Sequence, residues 1–314
     1  MSEKKRLLGT IKNDSFGGSE NQFRLLLKYV PEDLFKGINL ILNNADPKLI
    51  DPERKNILWL HHFVNMSEVQ NIQSKDYFNK IDYFVFNSHW NYEKYRYKFN
   101  IPESQSVVLR NAIEEIDNKK KPTDKINLIY HSTPFRGISV LLNVFERLNL
   151  KNVYLNVCSS TIIYGKKFFE LSDKKYEKIY QRCKDMKNVN YLGYQKNEEI
   201  IKLLQQTHIF SYPSCWIETS CISAIEAMAA GCQVVTSNLG ALYETCSPFA
   251  KLVHFNQNLN IFEKSYEQEL SNAIKYYWSK ENQKKLANQS QAINEQYNWK
   301  NRSQEWIEFL KKFQ

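Results

Sequence analysis

The chain has 314 residues, is 42% hydrophobic and 25% charged, and carries a net charge of +9 from 43 Lys and Arg against 34 Asp and Glu. This composition excludes an intrinsically disordered chain, and no apolar run approaches the ~20 residues that a membrane-spanning helix needs. Because a single hydrophobic core rarely grows beyond about 250–300 residues, the length favours two domains.

In the first part of the chain, short β-branched or aromatic runs alternate with helical patterns. Strands are predicted at Arg6–Ile11, Ile38–Leu42, Asn56–His61, Tyr83–Ser88 and Ser106–Arg110, and helices at Glu20–Tyr29 and Trp90–Phe99. The stretch from Glu114 to Lys125 is charged, contains Pro122 and has no apolar periodicity, which is typical of a linker. We therefore predict a first domain over residues 1–114 and a linker over residues 115–125.

The same alternation restarts after the predicted linker. Strands are predicted at Ile126–His131, Val153–Cys158, Asn190–Leu192, Ile209–Tyr212 and Gln233–Thr236, and helices at Ile138–Leu148, Asn197–Gln205, Ser220–Ala230 and, as one long helix, within Lys166–Lys184. After about Phe262 only helical patterns remain. The pattern predicts an α/β fold with two parallel sheets in sequence, the second domain covering residues 126–300. Ligands then belong at the carboxyl ends of the strands, in the crevice between the domains.

The first candidate site is the segment Phe16-Gly17-Gly18-Ser19-Glu20, between the first predicted strand and the first predicted helix. Ser19 followed by Gln22 fits a capping box, so the helix should begin there. Free N–H groups beside two glycines accept an anion. A plain tight turn has the same sequence pattern, so the segment alone does not decide between the two.

Two histidines end the strand that begins at Asn56. Because side chains alternate along a strand, His61 shares a face with Trp59 and His62 lies on the opposite one. We expect one imidazole to face the crevice. A metal ion bound by both is disfavoured, since adjacent strand residues point apart.

A third candidate site runs from Ser132 to Gly137, between a strand and a helix of the second domain. Arg136 near the start of a helix is electrostatically unfavourable, because that end of the helix dipole is positive. A bound phosphate would remove the conflict. An exposed surface arginine explains the pattern equally well.

The most informative segment runs from Glu218 to Gly231 and reads ETSCISAIEAMAAG. Its small residues predict a helix that packs closely on a sheet and ends at glycine. Two carboxylates in so apolar a segment are costly unless they are hydrogen-bonded. If both were helical they would lie about 12 Å apart along the axis, whereas glycosidase pairs are about 5–9.5 Å apart. We therefore expect Glu218 on the loop before the helix and Glu226 within it, each contacting a different part of one extended polar ligand.

The six cysteines and the positive charge say less about the function than the segment from Glu218 to Gly231 does. Without a C-x-x-C pair, the cysteines predict buried free thiols rather than a disulfide framework or a structural zinc site. The wealth of Lys, Asn, Ile and Tyr is typical of an AT-rich genome, and dispersed Lys and Arg without a recognition motif argue against nucleic acid. Residues 1–12 lack the apolar region of a signal peptide. We expect a cytoplasmic protein, whose charge could serve a phosphate-bearing ligand or peripheral contact with the inner face of an anionic membrane.

Glu218 and Glu226 form an E-x7-E pattern, followed by Ala-Met-Ala-Ala-Gly and preceded by Ser211-Tyr-Pro-Ser. Together with Gly17-Gly18, Arg136-Gly137 and the two-domain layout, these motifs resemble glycosyltransferase family 4, and the resemblance runs through nearly the whole chain. Further segments that look like family landmarks are Asn87-Ser88, Arg110-Asn111-Ala112-Ile113 and Tyr297-Asn298-Trp299. The resemblance implies a GT-B fold, with two Rossmann-like domains facing each other across a cleft and a final helix over residues 301–314 crossing back to the first domain.

The resemblance also implies a function: transfer of a sugar, with retention of anomeric configuration, from a UDP- or GDP-sugar to a glycan or lipid-linked acceptor. Glu218 would contact the donor sugar, Arg136 the diphosphate, and His61 the region of the acceptor and the reacting carbon, which makes these three the catalytic residues. Glu226 would bind the ribose hydroxyls. The other donor-binding residues would be Ser132, Thr219, Ser220, Cys221, Ile222, Gly17, Gly18 and Gly193.

The chain contains no Asp-x-Asp metal motif, so a metal-independent reaction without a cofactor is expected. Two alternatives stay open. One is a GT-B enzyme that acts on the nucleotide-sugar itself, such as an epimerase, and the other is a non-catalytic module that binds a nucleotide-sugar or a glycan. Because both acids of the E-x7-E pattern are intact, loss of catalysis is disfavoured.

Overall fold

The computed structural model describes residues 2–314, and the chain divides into two compact units. One comprises the chain up to Glu114 together with Gln296–Gln314, and the other is Glu115–Glu295. Each is built on a parallel sheet covered by helices, which confirms the predicted α/β class. Within residues 2–314 no helix combines the length and the apolarity needed to cross a membrane.

The first unit contains a four-stranded parallel sheet in the order β1-β2-β3-β4. Its elements are α1 Glu3–Leu8, α2 Gly18–Tyr29, β1 Ile38–Leu42, β2 Lys55–Leu60, α3 Lys75–Phe78, β3 Tyr83–Phe86, α4 His89–Phe99, β4 Ser106–Val108 and, from the end of the chain, α13 Trp299–Leu310. The side chains of β2 alternate between two cores, as the period of a strand requires. Trp59 packs with α2 and α13 on one face, with its ring 4.7 Å from that of Trp306, and Leu60 packs on the other. The C-terminal segment is therefore part of the core of the first unit, and it begins at Gln296 rather than at residue 301.

The predicted first strand, Arg6–Ile11, is wrong, because α1 covers its first half and the remaining residues form no strand. Ser2 caps this helix by accepting a hydrogen bond from the Lys5 N–H, and Arg6 pairs with Glu3 one turn away at 2.8 Å. Leu7 is the buried residue of α1. A strand in a parallel sheet buries both of its faces, so one-sided burial suits a surface helix instead.

The predicted capping box at Ser19 is also wrong. Helix α2 begins at Gly18 with Gly17 as its N-cap. The Gln22 side chain instead exchanges two hydrogen bonds with the backbone of Ala112, at 2.6 and 2.9 Å. The local pattern assigned the Gln22 side chain to the helix cap, but in the structure it bonds to a residue 90 positions away.

The second unit contains a six-stranded parallel sheet in the order β10-β9-β8-β5-β6-β7. Its elements are β5 Ile126–His131, α5 Ile138–Leu148, β6 Val153–Cys158, α6 Lys166–Ser172, α7 Glu177–Asp185, β7 Val189–Tyr191, α8 Asn197–Leu204, β8 Ile209–Tyr212, α9 Ile222–Ala229, β9 Gln233–Ser237, α10 Leu242–Cys246, β10 Lys251–Val253, α11 Leu259–Lys275 and α12 Lys280–Tyr297. The strand order reverses between β5 and β8, and in open α/β sheets such a switch point is where ligands bind.

Two predictions for this unit need correction. The linker over residues 115–125 belongs to the second unit, since Lys121 is buried and its Nζ donates to the carbonyls of Leu204, Gln205 and Ala230. The single long helix within Lys166–Lys184 is two helices, α6 and α7. They separate because the Asp173 carboxylate accepts hydrogen bonds from the N–H and hydroxyl of Thr161, at 2.9 and 2.8 Å, which holds the intervening turn.

Candidate functional site

Four strands of the second unit lead into candidate site residues at one edge of its sheet. Strand β5 leads into Ser132, β7 into Gly193, β8 into the loop that carries Glu218, and β9 into Gly240. The strands are parallel, so their carboxyl ends meet at the same edge. The second unit therefore gathers most of the predicted site residues there.

The centre of this edge is an ion pair between Arg136 and Glu218. The Arg136 Nη1 donates to Glu218 Oε1 at 2.8 Å, and the Tyr212 hydroxyl donates to the same oxygen at 2.5 Å. The Arg136 Nη2 donates to the Tyr164 hydroxyl at 3.0 Å. Although burial opposes its charge, the Glu218 carboxylate keeps the pKa of Arg136 above its ordinary value. The pair thus holds a cation and an anion in one partly buried position.

Two glycines allow this pair to form. Gly137 has φ +123°, and a Cβ there would lie 2.0 Å from the Pro213 carbonyl oxygen, so only glycine lets the Arg136 loop approach the loop after β8. Gly240 has φ +67°, and a Cβ there would lie 2.3 Å from the Glu218 carbonyl oxygen, which also accepts from the Ala241 N–H. The backbone of Glu218 is therefore clamped against the loop after β9.

Several buried polar atoms at this edge lack a hydrogen-bond partner within residues 2–314. They are Nε of Arg136, Nε2 of His131, Oγ1 of Thr133 and Oγ of Ser159. His131 and Thr133 lie at the end of β5, and Ser159 directly follows β6. An unpaired buried polar group costs about 1–3 kcal/mol, so this cluster fits a site whose polar ligand supplies the missing partners.

Glu226 lies inside α9, as predicted, and Glu218 lies on the loop before it. Glu226 is 7% exposed, and burial raises the pKa of its carboxyl group to about 7, against a hydrogen bond from the Asn197 side chain that lowers it. Asn197 is the first residue of α8. The two glutamates therefore occupy different surroundings.

Between the two glutamates the chain turns into the N-terminus of α9. Cys221 is the N-cap and makes no side-chain capping bond, and Ile222 is the first helical residue. The first N–H groups of a helix have no partner within it and carry the positive end of its dipole. With Thr219 and Ser220 on the preceding loop, four of the predicted donor-binding residues form one continuous segment after Glu218.

The other predicted site residues belong to the first unit. His61 directly follows β2 and is 8% exposed, with its ring 4.6 Å from that of Trp59. Burial, with a smaller contribution from His62, lowers the pKa of His61 to about 3, so this imidazole is neutral at physiological pH. Asn43 fixes the turn by accepting from the backbone N–H groups of both histidines, at 2.6 and 3.1 Å. Gly17 and Gly18 start α2, but they follow a helix rather than a strand.

Sequence reasoning missed four residues of the second unit's site. They are Tyr164, Asn197, Tyr212 and Gly240, which contact Arg136, Glu226 or Glu218. Tyr212 could have been predicted from the sequence, because it is the last residue of a strand and ligands bind at the carboxyl ends of such strands. No group of three His, Cys, Asp or Glu side chains that could hold a metal ion is found within residues 2–314.

The family model described as "Glycosyl transferases group 1" matches residues 111–296. This range covers the end of the first unit's main segment and all of the second unit, including Arg136, Glu218 and Glu226. A comparison with the sequences of curated proteins gives no match.

Solved structures resemble the chain over both units. A glycosyltransferase from Rickettsia africae is 15% identical with a TM-score of 0.70, covering 96% of this chain and 83% of its own. The Anabaena protein HepE, in complex with UDP and glucose, is 16% identical with a TM-score of 0.67, covering 96% of this chain and 84% of its own. A sucrose-phosphate synthase from Thermosynechococcus elongatus is 17% identical with a TM-score of 0.62, covering 83% and 68%. At this identity the likeness concerns the fold, which is the GT-B fold predicted from the sequence.

Proposed function

The chain belongs to the glycosyl transferases group 1 family, and from this premise we propose that it is a retaining, metal-independent enzyme of glycosyltransferase family 4. Its donor is a UDP- or GDP-sugar and its acceptor a glycan or a lipid-linked sugar. The observation that carries this proposal is the pair of Arg136 and Glu218 at the carboxyl edge of the second sheet, surrounded by unpaired buried polar atoms.

The chemistry of the reaction explains why such an edge is useful. When the bond between the sugar and the diphosphate breaks, positive charge develops on the sugar and negative charge on the leaving diphosphate. Fixed positive groups then stabilise the transition state without having to reorganise. Arg136 and the N-terminus of α9 supply such groups at the same edge.

Arg136 is the residue we assign to the diphosphate. Its buried Nε has no partner within residues 2–314, although Nη1 and Nη2 are both engaged. A phosphate oxygen is an acceptor of the kind this donor lacks, and guanidinium groups bind phosphates through several N–H groups at once. We propose that the bound donor competes with Glu218 for the guanidinium and leaves Glu218 beside the sugar.

Glu226 is the residue we assign to the ribose hydroxyls. Its carboxyl group is buried and is hydrogen-bonded to the Asn197 side chain. Hydroxyl groups can donate hydrogen bonds to such a carboxylate. We further propose that Ser132, Gly193 and the backbone from Thr219 to Ile222 line the donor, and that His61 and the Gly17-Gly18 loop of the first unit contribute to the reaction.

The test is incubation of the full chain with a panel of UDP-, GDP- and ADP-sugars in the presence of simple glycan acceptors. Release of nucleoside diphosphate, together with a product whose anomeric configuration by NMR matches that of the donor, is expected. EDTA should leave the rate unchanged.

The other outcomes each remove part of the proposal. Isomerised donor without nucleotide release would identify an epimerase, and tight nucleotide binding without turnover a non-catalytic module. An inverted product would remove the assignment to family 4. Loss of turnover in EDTA would show that a metal carries the charge assigned to Arg136 and the helix terminus.

A further inference from the structure

Helix α6, Lys166–Ser172, has no buried residue. Three of its seven side chains are large and apolar, and they are exposed: Phe168 by 40%, Phe169 by 36% and Leu171 by 77%. Scattered apolar residues on a surface are ordinary, but three within four consecutive positions form a contiguous patch, and such patches mark interaction sites.

The charged residues of α6 border this patch on both sides. At 100° per residue, Phe168, Phe169 and Leu171 occupy an arc of about 160°. Lys166 and Lys167 flank the arc on either side, and Glu170 lies opposite its centre. Lys166 forms an exposed ion pair with Glu170 at 3.9 Å, which is weak at that exposure. Two further exposed lysines, Lys174 and Lys175, follow in the next turn. An apolar face flanked by lysines is the arrangement of helices that lie in the interface of an anionic bilayer.

The helix is held in place from both ends rather than hanging on a loose loop. On one side, the Asp173 carboxylate accepts hydrogen bonds from Thr161 and from the Tyr180 hydroxyl. On the other, α6 begins two residues after Tyr164, whose hydroxyl is bonded to Arg136. The exposed patch is therefore fixed beside the Arg136–Glu218 pair of its own unit.

A second copy of the chain would fit the apolar face of α6 less well than a lipid bilayer would. A second copy docked through the same patch about a twofold axis would place lysines against lysines.

The N-terminal segment is a weaker candidate for membrane contact than α6. The basic residues Lys4-Lys5-Arg6 offer less positive charge than their sequence suggests, because Arg6 pairs with Glu3 and also donates to the Ile38 carbonyl.

We propose that Phe168, Phe169 and Leu171, with Lys166, Lys167, Lys174 and Lys175, dock the protein on an anionic lipid bilayer, and we call these seven residues the α6 patch. The apolar side chains enter the interface while the lysines meet the lipid phosphates. The consequence for the acceptor rests on the proposed function: with α6 docked, the donor edge lies next to the bilayer surface, where a lipid-linked sugar is presented.

The test is flotation of the full chain with vesicles of phosphatidylcholine alone or mixed with phosphatidylglycerol. The parent protein should float with the mixed vesicles at low salt and be released by high salt, because salt screens surface charge. The triple variant F168S/F169S/L171S should bind the mixed vesicles about tenfold more weakly or worse. The variant K166Q/K167Q/K174Q/K175Q should bind roughly a hundredfold more weakly, since each lysine near an anionic surface contributes several-fold.

The matched control is Y243S/L259S/I261S, which replaces three equally exposed apolar residues of the same unit outside the α6 patch. It should float like the parent. Equal binding to neutral and anionic vesicles, or equal loss in the control, would overturn the proposal. So would a concentration-dependent dimer that the apolar triple variant abolishes, because the patch would then cover a second copy.

A separate readout distinguishes this proposal from the proposed function. The ring of Phe168 lies 5.3 Å from that of Tyr164, which contacts Arg136, so Phe168 is kept in this readout. Nucleotide release with a water-soluble acceptor and no vesicles should be the same for the parent, for F169S/L171S and for the lysine variant. If the patch variants lose that activity while vesicle binding is unchanged, the α6 patch serves the reaction site itself and not a membrane. If no variant or parent releases nucleotide but flotation behaves as expected, the proposed function fails and the docking surface stands.

Discussion

Glu218 and Glu226 are two carboxylates of one motif, eight residues apart, and their surroundings differ in kind. Glu218 accepts hydrogen bonds from a guanidinium and a phenol, at 2.8 and 2.5 Å. Glu226 is about as buried but has an amide beside it, and burial raises the pKa of its carboxyl group to about 7. Equal burial therefore goes with different partner groups at the two carboxyl groups.

The different surroundings of Glu218 and Glu226 fit the different roles proposed for them. Under the proposed function, the Arg136–Glu218 pair holds opposite charges where charge separates during transfer, so changes there should affect the rate. Under the same proposal, Glu226, which has the Asn197 amide beside it, makes a steady hydrogen bond to neutral hydroxyls, so changes there should affect binding. Four experiments can break or sharpen this comparison.

The largest effect is expected from Arg136→Met. Removing one group that stabilises a developing negative charge costs about a hundredfold to a thousandfold in kcat. Arg147→Met is the matched control, because Arg147 lies on α5 of the same unit and pairs with Glu263 and Glu267 away from the site. Thermal melting of both variants must show that they fold. Turnover of Arg136→Met close to that of Arg147→Met would remove Arg136 from the diphosphate.

The pH dependence of stability should next test the raised pKa of Glu226. Between the ordinary pKa of 4.5 and the raised value of about 7, Glu226 keeps its proton in the folded chain and loses it in the unfolded one. The free energy of unfolding should therefore fall as the pH rises through this window, by roughly 3 kcal/mol in total. Glu226→Gln should remove that fall, whereas Glu198→Gln, at an exposed position of α8, should follow the parent. Parallel curves for the parent and Glu226→Gln would contradict the raised pKa.

Steady-state kinetics should then distinguish binding from rate. Glu226→Ala removes an interaction made equally in the ground state and the transition state, so the donor KM should rise about tenfold to a hundredfold while kcat stays near that of the parent. Glu218→Ala should lower kcat as well. A fall in kcat at constant KM for Glu226→Ala would show that the two roles have been assigned the wrong way round.

The smallest effect concerns the clamp on the Glu218 backbone. Gly240 and Gly37 both have φ +67°, but a Cβ on Gly240 meets the Glu218 carbonyl oxygen at 2.3 Å, while a Cβ on Gly37 has nothing within 4 Å. Both alanine variants bear the strain of a left-handed conformation, and Gly240→Ala adds the clash. Its free energy of unfolding should be lower than that of Gly37→Ala by about 1–3 kcal/mol. Equal melting of the two variants would show that the loop moves away without cost.

Local pattern sufficed where one segment carries its own signal. The run from Ser223 to Gly231 has the small residues of a close-packed helix and a glycine at its end, and α9 lies where it was predicted. The alternation along β2 correctly separates Trp59 from Leu60. The prediction of a first strand at Arg6–Ile11 failed because the segment is short. The cap at Ser2 and an ion pair within one turn stabilise a helix there, and they outweigh the strand preference of its β-branched residues.

The sequence by itself determined the α/β class, the strand ends that carry polar residues, and the positions of Glu218 before a helix and Glu226 within it. Only the tertiary structure decided that Arg136 pairs with Glu218, that Gln22 binds the Ala112 backbone, and that Asn197 lies beside Glu226. The physical reason is separation along the chain: the partners of the ion pair are 82 positions apart, and Gln22 and Ala112 are 90 positions apart. Periodicity and capping describe neighbours within a few residues, whereas these contacts form only when the order of strands in a sheet brings distant loops to one edge.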